Sequence, residues 1–356
     1  MNIPTHIISK VGQNLYKKSG HPIKIIKDHI LKYFTTLNRN FKCFENLDPK
    51  ISTIYNFDKL LIPLNHPSRS LSDTYYFDES TVLRTHMTAH QVKILENGET
   101  SFLMVGDVYR KDEVDSKHYP VFHQMDGVYI CDNNVNAIDD LKDILIGLVN
   151  YLFPQCEYRL NNDYFPFTDP SFEIEVKYQN NWLEILGCGK IREEILNNVN
   201  INKKGWAFGL GLERLAMILF NIPDIRYFWL NDERFLSQFK EEKICEFKKY
   251  FFLEPVSKCI SFYIKNSELV IDGENFNWLK INDYYEIVRN ICGDRIEHIE
   301  VADKFYNKKS CKYSITFRLT ISSTDYIVNQ DFLNKEANLF MHNIYNKLNE
   351  LGYEIR

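Results

Sequence analysis

The sequence predicts an α+β protein of two units. A large antiparallel sheet flanked by helices comes first, and a smaller ferredoxin-like unit follows. Three stretches carry this. Phe102 to Ile130 reads as an apolar strand, a charged loop from Lys111 to Pro120 and a returning strand. GWAFGLGLERLAMILF, Gly205 to Phe220, reads as a short strand, a glycine-rich turn and an apolar helix. From Cys259 onward the hydrophobic period alternates in the order strand, helix, strand, strand, helix, strand, which is the split βαβ arrangement. The expected bounds are 1–231 for the first unit, 232–256 for a linker and 257–356 for the second.

Taken in order, HPIKIIKDHILKYF opens with Pro22, a favoured first helical residue, and Ile23, Ile26, Ile30, Tyr33 and Phe34 recur at helical spacing. Pro63, Pro67 and a Ser/Asp cluster break the next segment into short strands and loops, with Asn65 to Arg69 a polar loop of no assigned role. VLRTHMTAHQ, Val82 to Gln91, is a short loop entering a helix; Thr85 or Thr88 is suited to cap it. Asn133 to Asp140 is a polar loop before the helix LKDILIGLVNYLF. Phe165 and Phe167 flank Pro166 in an extended segment and point the same way. FEIEVKY alternates as a strand, Gln179 to Asn181 turns the chain, and WLEILGCG returns. There Glu184 faces opposite to Leu183 and Ile185, a position costly for a carboxylate unless it is paired. Asp232 to Pro255 is charged and helical in pattern, which predicts a linker helix. The second unit then places strands at Cys259–Lys265, Ile296–Tyr306, Lys312–Ile321 and Tyr353–Arg356, and helices at Asp283–Ile291 and Asn329–Leu351.

The 356 residues (42.3 kDa, 44% hydrophobic) suffice for two cores. A net charge of -5 and a pI near 6.1 exclude a globally basic nucleic-acid binder, so RNA contact requires a local patch. Eight cysteines without a CxxC pair read as reduced thiols, and Cys188 as a small packed residue. No apolar run is long enough for a membrane span. His6, Lys10, Lys17 and Lys18 precede the first acidic residue, Asp28, which is reminiscent of a transit peptide. The stretch is short, so any presequence is expected to be absent, removed or brief.

Strand alternation puts Phe122, Gln124 and Asp126 on one face of the return strand, and Val121, His123 and Met125 on the other. Met104, Gly106, Val108 and Arg110 line one face of the outgoing strand. A ring can stack on a base, a guanidinium can fork onto a phosphate and a carboxylate can hold an ammonium. That surface suits ATP plus an amino acid; the alternative is an ordinary half-buried hairpin. Gly209 and Gly211 allow a ligand close to the backbone, and Arg214 lies in the first turns of the helix.

These two stretches, in this order and about a hundred residues apart, resemble motifs 2 and 3 of class II aminoacyl-tRNA synthetases. VGDVYRKDEVDSKHYPVFHQ, YFPFTDPSFE, WLEILGCG and GWAFGLGLERLAMILFNIPDIRYFW resemble phenylalanyl-tRNA synthetase, in its single-chain mitochondrial form, from about Ile8 to the C-terminus. The resemblance implies the class II antiparallel sheet, an anticodon-binding ferredoxin-like domain, and two-step charging of tRNA(Phe) with L-phenylalanine and ATP, with Mg²⁺ bridging phosphates. It gives Arg110 the α-phosphate, Arg214 the distal phosphates and Phe122 the adenine. It gives Gln124 and Asp126, with Met125 between them, the amino-acid end. Lys117, His118 and Tyr119 fall in a loop that closes over ATP and the acceptor end. His86, Thr88 and Gln91, with Ala89 and His90 in the same segment, are assigned to the amino-acid site; His90 is equally suited to a packed role. Phe165 and Phe167 wall the phenyl ring, Ala207 lies under its para position with Phe208 beside it, and Glu184 is near the substrate. Lys304, Lys308, Lys309, Lys312 and Arg318 are candidates for tRNA contact. Two departures stand out: Asp126 replaces the usual glutamate, and the segment after Asn133 is shortened. A catalytically silent tRNA-binding paralogue and the small subunit of a two-chain enzyme are the competing readings. The chain is expected to act as a monomer in the mitochondrial matrix, with a plastid as alternative.

Overall fold

Seven strands hydrogen-bond into one sheet in the order Lys42–Phe44, Ser101–Tyr109, Val121–Ile130, Gly205–Gly211, Asn181–Ile191, Thr168–Tyr178, Tyr158–Asp163. Only the first pair is parallel. This computed structural model describes residues 2–250, 253–272, 275–323 and 329–356. One face of the sheet carries the helices Pro22–Thr35, Ala137–Leu152 and Leu212–Leu219, sealed by Ile26, Phe34, Leu145, Leu148, Trp206 and Leu215. The other face is covered by short elements between residues 51 and 96, packed through Phe57, Met87, Val92, Met104 and Val108.

Local chemistry accounts for the boundaries. Asn136 caps its helix by accepting from the Ile138 N–H, so the helix begins at Ala137, inside the segment read as loop. Gln179 and Asn180 both have positive φ (47° and 64°), the twist a two-residue hairpin needs. The expected linker helix is not formed in the described residues. Helical structure there is confined to Glu233–Leu236 and the 3-10 turn Ser237–Phe239. Phe235, Phe239 and Phe247 are buried against Phe220, Tyr227 and Phe228, and this aromatic cluster holds the chain on the first core instead of releasing it as a charged rod. Residues 251 and 252 lie outside the described residues.

In the C-terminal part, four antiparallel strands run in the order Ile296–Asn307, Lys312–Ile321, Val256–Ile264, Glu354–Ile355, with helices Ile281–Cys292 and Gln330–Glu350. Phe262, Tyr284, Phe317, Leu333 and Ile344 form their common core. A hairpin of Leu269–Asp272 with Asn275–Trp278, not anticipated from the sequence, is inserted before the first helix.

This part is docked on the long hairpin loop. Val114 of the loop is buried in the C-terminal core, and its carbonyl accepts from the Ile299 N–H at 2.9 Å. Arg289 donates to the carbonyls of Asp112 and Glu113. Tyr119 donates to Asp294 at 2.6 Å and Tyr75 to Glu286 at 3.0 Å. Arg226, fixed by Asp224, reaches Glu297 and the Ser322 hydroxyl. Among the described residues no helix is long and apolar enough to cross a membrane.

Candidate active site

The hairpin register pairs Val108 with Phe122, Gly106 with Gln124 and Met104 with Asp126. Residues opposite one another in an antiparallel pair share a face. The strand therefore delivers Gln124 and Asp126 to the floor of a cleft of about 540 Å³, with Arg110 at the end of the outgoing strand on its wall. The cleft is also lined by His86, Thr88, Phe165, Phe167, Glu184, Ala207 and Gly209.

Among the described residues Arg110 is anchored at one nitrogen: Nε donates to the Thr85 carbonyl at 2.7 Å. Its guanidinium carbon lies 5.4 Å from the Phe122 ring centroid. Burial lowers its pKa, opposed by the Asp112 and Asp126 charges and aided by that of Arg214, so this cation favours an anionic ligand. Arg214, in the first turn of Leu212–Leu219, donates to the Glu184 carboxylate at 3.1 Å and to its carbonyl at 3.2 Å. Glu184 is open to the cleft, so it escapes the burial cost expected for it at a sheet position.

Phe165 and Phe167 stack with centroids 5.8 Å apart and planes 10° from parallel, and His86 tilts against Phe167 at 6.2 Å. Burial drives the His86 pKa down to about 3, so its ring is neutral. A Cβ at position 187 would stand 2.7 Å from the Phe165 ring, so a side chain there would displace that ring. Position 209 is glycine for a reason the sequence does not show. A Cβ there would lie 2.9 Å from Asp126 Oδ1, so the space anticipated for a ligand is filled by this carboxylate.

Asp126 is buried, and Thr88 donates to its Oδ2 at 2.6 Å. Oδ1 is buried with no hydrogen-bond partner among the described residues. Desolvation pushes the Asp126 pKa up to about 7, opposed by the Thr88 hydroxyl and the Arg110 charge. Gln124 uses its side-chain oxygen to accept from the Met87 N–H at 3.2 Å, which ties the His86–Gln91 segment to the strand.

Several residues assigned by segment do not open into this cleft. Met125 is fully buried on the opposite face, as alternation requires. Ala89 is a core residue, and Gln91 is buried with neither side-chain amide atom bonded among the described residues. His90 faces Arg84 Nη1 at 3.1 Å, and burial pushes its pKa down to about 3. Phe208 borders the cleft, but its ring stacks on Phe34 at 5.5 Å in the helix-side core. Phe122 is half-buried on the same face of the strand as Gln124 and Asp126, with its ring against Arg110, which lines the cleft. His118 and Tyr119 line a separate cavity of about 270 Å³ toward the C-terminal part, and Lys117 is exposed. The loop faces that way because Val114 and Arg289 hold it there. Glu113, Asp115 and His118 converge on the loop, but Asp115 is already engaged by the N–H groups of Lys117 and His118 and by His118 Nδ1.

Two buried pairs escaped the sequence reading. Arg84 is paired with Asp107 beneath the His86–Gln91 segment, and Tyr109 donates to Asp107 at 2.5 Å. Glu213 accepts from the His123 ring Nδ1 at 2.6 Å and from the His123 N–H at 2.7 Å. The available signal was a charged residue inside an otherwise apolar run, VLRT and GLGLER.

An antiparallel sheet that holds one arginine on a hairpin and another on a glycine-led helix, beside a carboxylate-floored pocket, is the arrangement the motif resemblance implies for a class II aminoacyl-tRNA synthetase, and the family match bears that class out. The family described as tRNA synthetases class II core domain (F) matches residues 6–239. The chloroplastic/mitochondrial phenylalanine--tRNA ligase of Arabidopsis thaliana is 44% identical over 98% of this chain and 82% of its own length. The mitochondrial phenylalanine--tRNA ligase of Dictyostelium discoideum is 38% identical over 100% of this chain and 89% of its own. A pyrrolysyl-tRNA synthetase structure from Desulfitobacterium hafniense aligns over 58% of this chain and 73% of that one, with TM-score 0.47 and 16% identity. The chain belongs to the phenylalanine--tRNA ligase family.

Proposed function

We propose that the chain joins phenylalanine to tRNA(Phe) in two steps. The phenylalanine carboxylate attacks the α-phosphate of ATP, forming phenylalanyl-adenylate and releasing pyrophosphate. A ribose hydroxyl at the tRNA 3′ end then attacks the activated carbonyl and releases AMP. No side chain becomes a covalent nucleophile; the rate comes from positioning and from cations that hold phosphate charge. The observation that carries this reading is one cleft onto which Arg110, Asp126, Glu184 and the Phe165–Phe167 pair all open. Arg110 takes the α-phosphate, Arg214 the distal phosphates, and Phe122 stacks on adenine. Asp126 Oδ1, unbonded among the described residues, accepts the substrate ammonium directly or through a water, since the side chain is one methylene shorter than the usual glutamate. Mg²⁺ favours few protein oxygens and keeps several waters, and the half-exposed Glu184 carboxylate suits it. When bound, the ion neutralises phosphate charge.

The test is phenylalanine-dependent ATP–pyrophosphate exchange, run across all twenty amino acids. Exchange with phenylalanine alone, plus a low tyrosine signal, is the expected result; no exchange with phenylalanine would leave the silent paralogue. An apolar pocket rejects an added hydroxyl by only about a hundredfold, so tyrosine is expected to be activated at about that ratio. A discrimination far above it would show that the pocket holds a further selective contact. Ala207 is only 6% exposed, its residue lining the cleft, so Ala207→Gly is expected to admit para-chlorophenylalanine. An unchanged kcat/KM for that analogue in the variant would remove Ala207 from the ring's far end.

The C-terminal strand order, with its two helices, supports a ferredoxin-like domain that binds the anticodon. The basic candidates there are not equivalent. Lys304 donates to the Phe276 carbonyl, Lys312 pairs with Glu354 and Arg318 with Glu300, whereas Lys308 and Lys309 are exposed at the hairpin tip. Phe305 and Tyr306 are exposed beside them and offer rings to unstacked bases. Burial of Phe235, Phe239 and Phe247 supports a catalytic unit that extends beyond residue 231, toward residue 250. The names of the relatives support an organellar site of action, here assigned to the mitochondrial matrix with a plastid as alternative. A monomer is expected on gel filtration.

A further inference from the structure

We infer that Glu213 and His123 form a positioning pair that sets the spacing between the two ATP-facing side chains, Arg214 and Phe122. The inference rests on the proposed reading that those two residues hold the triphosphate and the adenine.

The two residues are each one step along the chain from a ligand-facing neighbour. His123 lies between Phe122 and Gln124 on the return strand, and alternation turns it to the opposite face, where it is fully buried. Glu213 directly precedes Arg214 and is 2% exposed. Successive helical side chains diverge by about 100°, so Glu213 points back under the sheet while Arg214 points out to Glu184. The carboxylate then takes both donors of His123: Oε1 accepts from the ring Nδ1 at 2.6 Å and Oε2 from the backbone N–H at 2.7 Å. A two-point, charge-assisted contact fixes distance and rotation together. The other polar anchor of the first turn, Arg214 on Glu184, is open to the cleft, and Gly211 at the N-cap of the Leu212–Leu219 helix offers no side-chain cap, so the buried tie to the return strand is the one Glu213 makes.

Stability alone does not explain the pair. Apolar side chains of similar volume commonly stabilise a buried site as well as an ion pair or better. The His123 ring is also wedged from its other sides, by Trp229 at 5.8 Å and edge-on by Tyr16 at 5.6 Å, and its Nε2 has no partner among the described residues. The ring is thus held in one orientation, with Nδ1 aimed at Glu213. What the pair adds is a fixed offset between the strand that presents Phe122 and the helix that presents Arg214.

The experiment is phenylalanine-dependent ATP–pyrophosphate exchange on the full chain, with KM for ATP and for phenylalanine measured separately. The variants are Glu213→Gln, His123→Leu, His123→Asn and Arg214→Ala. Glu213→Gln and His123→Leu are expected to raise KM for ATP at least tenfold while KM for phenylalanine stays within twofold. His123→Asn, whose amide can still donate to Glu213, is expected to restore KM for ATP to within threefold of the parent. A merely structural role would lower the unfolding midpoint and the active fraction without separating the two KM values, and that pattern overturns the inference. So does an unchanged KM for ATP in either variant while Arg214→Ala is inactive. If Arg214→Ala itself retains full exchange, the reading of the ATP site fails instead. Should Glu213→Gln not fold, the His123→Leu and His123→Asn comparison decides the same point.

Discussion

Replacing Arg110 by alanine is expected to cut phenylalanine-dependent pyrophosphate exchange by a hundred- to a thousandfold, the loss typical of removing one preorganised charge donor. The fold has little to lose. Among the described residues Arg110 makes one hydrogen bond, from Nε to the Thr85 carbonyl, and Thr85 is held independently by Asn56 through two further bonds. The unfolding midpoint is therefore expected to stay within a few degrees. Arg110→Lys keeps the charge and loses the fork, so its activity should fall between the two. Exchange within tenfold of the parent in Arg110→Ala would place the α-phosphate elsewhere.

Asp126→Asn carries the second large effect, and its two consequences have opposite signs. The Asp126 pKa is raised from 3.8 to about 7 by burial. A carboxyl raised in this way binds its proton more tightly folded than unfolded. Its contribution to stability is fully present below about pH 4 and is lost as pH rises through about 7. At pH 8 the ionised group costs the fold up to roughly 4 kcal/mol. Asparagine removes that cost, so the variant is expected to melt roughly 5 °C higher at pH 8 and to show no gain at pH 4. Function moves the other way. Only the ionised carboxylate attracts the substrate ammonium, so kcat/KM for phenylalanine in the parent should fall about tenfold per pH unit below pH 7. In Asp126→Asn that limb should vanish, at a level at least about a hundredfold lower. A parent profile flat between pH 6 and 8, with the variant no more stable, would show that the carboxylate is ionised and solvated throughout.

Alternation along the hairpin was enough to foresee which side chains meet at the floor of the cleft, because the register pairs Met104, Gly106 and Val108 with Asp126, Gln124 and Phe122. The same rule excludes Met125, which the motif resemblance brought in as part of a segment. What could not be read locally depends on partners distant in sequence. Gly209 looks like a ligand-facing glycine until Asp126 is seen to fill its space. The charged run after Asp232 has helical periodicity, yet its phenylalanines find a better aromatic partner set than a solvated helix offers. The loop from Lys111 to Pro120 reads as a flap over the nucleotide, but Val114 is an apolar residue in a charged segment and finds its burial in the C-terminal core.

Trp229 stands where several of these features meet. Its indole is sandwiched between His123 at 5.8 Å and Tyr119 at 5.4 Å, with the Lys10 ammonium 4.9 Å from its centroid. Tyr119 in turn is tied to Asp294 of the C-terminal part. The chain thus carries an intrinsic optical gauge: displacement of the C-terminal part alters the quenching of this indole, one of the chain's four tryptophans, and its share of the emission as tRNA is added is the difference between the parent and Trp229→Phe, without any attached dye.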